Sequence, residues 1–540
     1  MAATAAQGAD TVVVGLGEEP DMLVQDFSLR HASWAVLSTL MLKLFRYDDS
    51  WRGWPELAEE IPSGRNGLLR RLPDGRVEQR WRFRPGLRWH DGVPVGPGDA
   101  VFTYELLSRT PPPYPHHLII ESISEMLVAP DDDRTLIVRW KAGKPFAHHE
   151  EWGTVLPRHL LEGAGLERER GDHPFARAPI FHGPFRFVEW EPGSHLVVER
   201  WGRHPLGEPQ VRRIVFRFFT DPAALRAAVI AGEVDVTDLT GFSADDAAAI
   251  AAAAADTRVV HTPSLMWEHI DINLDDPVLA DRRVRHALAH AVDMAAVARV
   301  LFGEAPEPAR SWLPPRHPAH NAEVAGYPHD PERARELLTE AGLRPGPDGR
   351  FCLPDGQPWQ LRLLTTRPAD RSGRWTASHA RPEAARLIAD QLAKVGVDLR
   401  IDLLPPDEAF PIIRRRKFPH LALFVWSMGL ETNGYLLWHS SKIPSDDEWY
   451  GINISGWRNA ENDELLDRIA AADDPADRDA LLHQQQAVWA RELPSLPVAF
   501  PGSWTTHKQG LRNVRPVGVF GCYLPWNAWQ WSWDTAGETS

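Results

Sequence analysis

The chain has 540 residues, 43% of them apolar and 25% charged, with a formal net charge of −15. This is a globular composition that excludes disordered and collagen-like classes, and at about 150 residues per domain it leaves room for roughly three or four structural units. So acidic a chain is repelled by phosphate backbones, which excludes nucleic acid as a partner, and its one dense basic run, Arg414 to Lys417, reads as the solvated end of a helix.

Two cysteines, Cys352 and Cys522, provide neither a disulfide framework nor a CxxC pair, and the sequence leaves a single bridge between them open. No apolar run approaches the roughly 20 residues that span a bilayer. Met1 to Asp10 lacks the basic and apolar regions of an export signal, so the chain is expected to be soluble and, as written, without a leader.

In chain order, an extended run at Thr11 to Leu16 precedes a helix from His31 to Phe45 and a polar turn at Asp48 to Gly53. Gly15-Leu16-Gly17-Glu18-Glu19-Pro20 has the outline of a dinucleotide fingerprint. Pro20 stands where the third glycine belongs, however, and no acidic residue follows at the required offset. Arg70 to Asp99 alternates β-rich pieces with turns at Pro73-Asp74-Gly75, Arg84-Pro85-Gly86 and His90-Asp91-Gly92, then becomes helical to Leu107. This is the pattern of a small α+β unit. Strands follow at Phe185 to Trp190, Leu196 to Trp201 and Ile214 to Phe218, with a helix from Asp221 to Gly232. The alanine tract Ala247 to Ala255 reads as a surface helix with Ser243 and Asp245 as capping candidates.

Beyond it, Trp267 to Leu274 is a predicted strand and Arg283 to Leu301 one amphipathic helix. Asp330 to Ala341 is a helix closed by Gly342. Strand Leu361 to Thr365, helix Pro382 to Val395 and strand Val397 to Leu403 form a βαβ pattern, which argues an α/β architecture. Helices at Asn462 to Ala471 and Asp477 to Leu493 lead to a strand at Pro497 to Phe500. The spacing of Trp526, Trp529, Trp531 and Trp533 fits a strand edge or a packed terminal arm.

Few residues are arranged for catalysis. His148-His149-Glu150-Glu151 and His116-His117 lack the i, i+4 spacing of a hydrolytic zinc helix, so no metal or cofactor is expected. No G-x-S-x-G is present, Ser440-Ser441-Lys442 lacks acylase spacing, and Asp131-Asp132-Asp133 reads as a turn. The 23 tryptophans exceed what cores need, and those beside loops could stack on flat ligands, although the core is the first reading for each.

Trp81-Arg82-Phe83-Arg84-Pro85-Gly86-Leu87-Arg88-Trp89-His90-Asp91-Gly92-Val93-Pro94 with Asp99-Ala100-Val101 resembles the signature of the extracytoplasmic solute-binding proteins, family 5, of peptide and nickel ABC importers. Gly183-Pro184-Phe185, Glu189 to Gly193, Ala231 to Val236, Asn273, Asp281, Val284 to Leu288 and Asp293 continue the resemblance in family order. Tyr327 to Pro331, Ala341-Gly342, Val395 to Val397 and Glu492 to Pro497 carry it across nearly the whole chain.

The resemblance implies an α/β, periplasmic-binding-protein-like bilobal clamp of type II with a small inserted α+β domain, built as a three-domain cluster. Residues 10–50, 178–260 and 485–535 would form a discontinuous lobe I, 51–177 the inserted domain II and 261–484 lobe III, with ligand held between lobes I and III. It further implies a monomeric, non-enzymatic, periplasmic or otherwise extracytoplasmic protein without cofactor. Such a protein captures a peptide or peptide-like solute and delivers it to an ABC permease at the membrane. An oligosaccharide ligand competes within the family, and an enzyme is the disfavoured reading from another class.

Two places carry the implied ligand contacts. Arg367, after the Leu361 to Thr365 strand, matches the arginine with which dipeptide-binding members hold a carboxylate; the competing reading is a surface residue beside Arg371 and Arg374. Trp426 to Leu436 matches the segment in which an aspartate pairs with the peptide ammonium. Here Met428 or Gly429 takes that aspartate's place, leaving Glu431 as the remaining carboxylate, with Asn433 beside it. Ligand-binding residues are therefore expected at Arg367, Trp426, Met428, Gly429, Glu431 and Asn433. Arg285, beside Asp281, is expected in a buried or capping ion pair.

Overall fold

The structure is a computed structural model and describes residues 10–28, 30–112, 114, 116–142, 154–202, 204–238, 242–303, 307–367, 377–428, 434–445, 451–518 and 524–534. Contacts divide the chain into two compact units, Met1–Thr262 with Ser503–Ser540, and Pro263–Gly502.

The first unit is organised by a seven-stranded sheet in the order Thr257–Pro263, Gly502–Lys508, Val236–Asp238, Thr11–Leu16, Arg213–Phe218, His195–Arg200, Phe185–Glu191. The Thr11–Leu16 strand is parallel to both its neighbours. Val12, Val14 and Leu16 join the large core that contains the His31–Leu40 helix, while Val13 joins a second cluster with Leu225, Val229 and Ile250 on the other side. An unbroken Val-Val-Val run suits this position because the strand is covered on both faces. A separate four-stranded antiparallel sheet, Leu69–Arg71, Val77–Arg82, Asp132–Trp140, Ile123–Ala129, packs with the Pro97–Arg109 helix in the region expected to be α+β.

The second unit contains a six-stranded sheet in the order Glu307–Pro308, Ser495–Phe500, Met266–Ile272, Leu421–Ser427, Gln360–Thr366, Asp398–Leu404. Gln360–Thr366 is parallel to Asp398–Leu404 on one side and to Leu421–Ser427 on the other. The Ala377–Lys394 helix connects the first of these pairs, and the Pro406–Arg414 helix leads to the strand on the opposite side. The chain therefore reverses its winding direction at Gln360–Thr366. Residues 485–502, expected with lobe I, run in this unit, because the Pro475–Glu492 helix packs on Ala460–Ala471 and Ser495–Phe500 pairs with Met266–Ile272.

Several elements differ from expectation for identifiable reasons. The first helix stops at Leu40 and Phe45–Tyr47 is a strand. Gly183 donates its N–H to the Leu40 carbonyl at 2.7 Å, so close that a Cβ there would lie 2.4 Å from the Leu40 carbonyl carbon. The helix predicted over Arg283 to Leu301 is two, Arg282–Ala291 and Met294–Phe302, because the Asp293 carboxylate accepts the Ala296 N–H and caps a new start. Over the alanine tract the cap is Ser243 with Asp246 rather than Asp245.

Arg285 is in a buried ion pair, as expected, but its partner is Glu492 at 3.8 Å and not Asp281. It is buried, and its guanidinium donates to the carbonyls of Leu279, Ala280, Glu492 and Leu493, while the Asp281 carboxylate caps the helix and pairs with Arg283 at 2.6 Å. Burial pulls the Arg285 pKa down to about 10. In the basic run, Arg414 does end a helix, yet Arg416 is held in the structure: it is half-buried and donates to the Ile454 and Ser455 carbonyls and to Asp275. The terminal tryptophans form a packed arm, with Trp526 and Trp531 buried around the 3-10 turn Leu524–Gln530.

Candidate functional site

In an open sheet with parallel strands, the crevice outside the strands' carboxyl ends, where the winding direction reverses, is the natural place for a ligand. In the second unit that edge is formed by Thr366, Leu404 and Ser427. The two expected binding segments leave from it. Arg367 follows Thr366 directly, and Met428 follows Ser427. The register pairs Thr365 with Leu423, so carrying it two residues further sets Arg367 level with Val425, one position before Trp426. Parallel pairing thus brings together two segments that are about 60 residues apart in sequence.

The Arg367 backbone N–H donates to the Leu404 carbonyl at 2.9 Å, which fixes the start of its segment on the neighbouring strand. Its side chain is exposed and makes no hydrogen bond or ion pair with any described residue. It is therefore a cation at the strand ends, with its five donors open to an incoming acceptor. Trp426 is half-buried. It packs edge-on against Phe424 at 5.9 Å between ring centres, and the Arg414 guanidinium lies 5.9 Å from its ring centre. Much of its role is therefore to close the core beneath the edge. Met428 is buried, with its N–H donating to the Leu265 carbonyl at 3.1 Å, and brings no charge to this position.

Gly429, Glu431 and Asn433 lie outside the described residues, as do Arg371, Arg374, His148 to Glu151 and Cys522. The segment resumes at Gly434. Its φ is +77°, and a Cβ there would come within 2.9 Å of Trp312, so glycine is required both by conformation and by the close approach. Behind it lies a cluster of buried indoles. Trp438 touches Trp267, Trp489, Trp457 and Trp312, with ring centres 5.5 to 6.4 Å apart. These tryptophans are core, as first read, and they give the segment beyond Gly434 a rigid seat.

A buried ion pair at the same edge was missed in the sequence. Arg381 Nε and Nη2 donate to the two Glu268 carboxylate oxygens at 2.8 Å each, and Arg381 Nη1 donates to Thr366 Oγ1 at 2.8 Å. Glu268, Arg381 and Thr366 are all buried. The available signal was Glu268 itself, a carboxylate alternating with Ile270 and Ile272 on a strand that is buried from Trp267 onward. Its partner is 113 positions away and follows no spacing rule.

Among the described residues no group of three or more His, Cys, Asp or Glu side chains is placed to hold a metal ion, and no helix is long and apolar enough to cross a membrane. Among the described residues the site offers the open Arg367 guanidinium, the half-buried Trp426 ring with exposed Arg414 over it, and backbone groups at strand ends. This suits non-covalent recognition of a carboxylate-bearing or otherwise acceptor-rich solute.

Known proteins share this architecture. The chain is 23% identical over 470 residues to the oligopeptide-binding protein AppA of Bacillus subtilis, covering 85% of this chain and 80% of that protein. It is 23% identical over 487 residues to di/tripeptide-binding protein 2 of Pseudomonas aeruginosa, covering 85% and 84%. Among solved structures, the oligopeptide-binding protein of Thermus thermophilus complexed with a pentapeptide aligns over 98% of this chain and 97% of that one, at 25% identity and a TM-score of 0.66. HbpA2 of Haemophilus parasuis shares the fold at a TM-score of 0.78 and 19% identity, over 97% and 100% of the two chains. The profile of the bacterial extracellular solute-binding proteins, family 5, matches residues 55–444, well over half the chain, and the protein belongs to that family.

Proposed function

We propose that this chain is the non-enzymatic substrate-binding component of an ABC importer, capturing a peptide or peptide-like solute outside the cytoplasm and delivering it to a membrane permease as a monomer. The observation that carries the reading is the open Arg367 guanidinium at the carboxyl edge of the reversing sheet, in a chain whose relatives are named as peptide-binding proteins. In this reading residues 10–50, 178–260 and 503–535 form one lobe, 51–177 an inserted domain, and 261–502 the lobe that carries the site. Trp426 and Met428 line the ligand's path, with Gly429, Glu431 and Asn433 beyond them.

The uncharged Met428 bears on which peptides fit. An ammonium enclosed without a carboxylate partner would lose several kcal/mol of hydration. Ordinary free-amine dipeptides are then expected to bind more weakly than N-blocked or amine-modified peptides, unless Glu431 supplies the partner. Titration calorimetry with matched free and N-acetylated peptides, and with oligosaccharides as the competing class, tests the reading. Arg367→Ala should weaken binding of a carboxylate ligand by about 1.5–3 kcal/mol, the range for a hydrogen bond to a charged group. Equal affinity of mutant and wild type would remove Arg367 from the site, and turnover of a bound ligand would overturn the binding-protein reading.

A further inference from the structure

We infer that Arg381 is a positioning residue for ligand recognition, a deeper reading of the same site that rests on the proposed function. Its guanidinium ties together the roots of both binding segments. Thr366 is the last residue before Arg367 and sits 15 positions from Arg381, so the Nη1 to Oγ1 hydrogen bond ties the end of the Gln360–Thr366 strand to the Ala377–Lys394 helix. On its other side the guanidinium grips Glu268, on the strand that pairs Trp267 with Trp426 and Glu268 with Val425.

The geometry explains why an arginine stands here. A guanidinium is a rigid planar fork, so two-point attachment to Glu268 fixes the direction in which Nη1 points. That direction meets Thr366 Oγ1, which leaves the strand one residue before the open cation. A buried ion pair is a weak source of stability, since desolvation offsets most of the attraction, but it specifies one arrangement of the groups it joins. What it specifies here is the separation between the end of Gln360–Thr366 and the start of Ala377–Lys394, and hence where Arg367 is presented relative to the Leu421–Ser427 edge. Both groups are sealed from solvent, so they act on the ligand through Arg367 and the segment ends, without touching it.

The test uses Thr366→Val, which keeps the volume and removes the acceptor, and Thr366→Ser, which keeps the hydroxyl. The full-length protein is titrated with one peptide as its free acid and as its C-terminal amide, and is digested in parallel with limiting trypsin, with cleavage after Arg371 and Arg374 followed by mass spectrometry. Thr366→Val is expected to shrink the acid-to-amide affinity ratio at least about fivefold and to speed cleavage severalfold, with Thr366→Ser restoring both. A general loss of stability would weaken acid and amide alike and leave their ratio unchanged. A ratio and cleavage rate equal to wild type in Thr366→Val would overturn the inference. Faster cleavage in a protein whose wild type binds neither peptide would uphold the tie between Thr366 and Arg381 and sink the peptide reading. Unchanged cleavage in such a protein would sink both.

Discussion

Acid should loosen the first unit through His182. This imidazole is 1% exposed, its ring lies edge-on to Trp89 at 4.8 Å, and its Nδ1 accepts the Leu42 N–H. Burial pushes its pKa down from 6.5 to about 4, and only backbone groups favour its protonated form. A lowered folded-state value means that the unfolded chain binds the proton first. The contribution to stability is therefore intact above pH 6.5 and drains away as the pH falls toward 4. At pH 5 an unfolded-chain imidazole is almost wholly protonated and the folded one is about one-tenth protonated, a difference worth about 2 kcal/mol. His90, pushed to about 3 first by burial and then by neighbours that include His182 and His204, should act in the same direction. The assay is urea unfolding of wild type and His182→Gln at pH 7.5 and 5.0, since glutamine retains an acceptor for Leu42 without titrating. Wild type should lose about 2 kcal/mol more than the variant over that interval. Equal losses would refute the reasoning, as would a His182 imidazole resonance that titrates near pH 6.5 in the folded protein.

Two further outcomes follow from packing and charge. Gly183→Ala should destabilise the first unit by about 1–3 kcal/mol or more, read as a lowered Tm, because its Cβ would meet the Leu40 backbone rather than a side chain that can move aside. Glu268→Gln should cost about 3–5 kcal/mol in urea unfolding followed by tryptophan fluorescence, since it leaves Arg381 buried without a counter-charge. The double variant Glu268→Leu, Arg381→Met should recover most of that loss.

Local chemistry was readable where it acts alone. The βαβ unit from Leu361 to Leu403 could be traced because its strands are apolar runs and Gly396, with φ of +88°, marks the turn between helix and strand. Asp221, Asp330 and Gly342 punctuate helices at the positions their chemistry predicts. What escaped depends on partners remote in sequence. The apolar pattern runs on past Leu40, and the end of that helix is set by Gly183. The periodicity from Arg283 to Leu301 hides a break at Val292, because Asp293 is polar in either arrangement. Residues 485–502 resemble a return to the opening lobe, and only the pairing of Ser495–Phe500 with Met266–Ile272 assigns them to the second unit. At the site, Arg367 was accessible through its motif, whereas the ion pair that organises the edge joins residues 113 positions apart.

The place of Gly502–Lys508 in the first sheet has a consequence for the order of assembly. That strand lies between Thr257–Pro263 and Val236–Asp238, so the opening sheet has a gap until nearly the whole polypeptide has emerged. Pro263–Gly502, by contrast, is one continuous stretch, and the strands of its six-stranded sheet all lie within it. A chain delivered from its amino end can finish its later-made unit while the earlier-made one still waits for its missing strand. Closing a connection this long is a slow step, because its entropic cost falls before the contacts that offset it can form. The first unit should thus stay open to holding factors until the Gly502–Lys508 strand arrives.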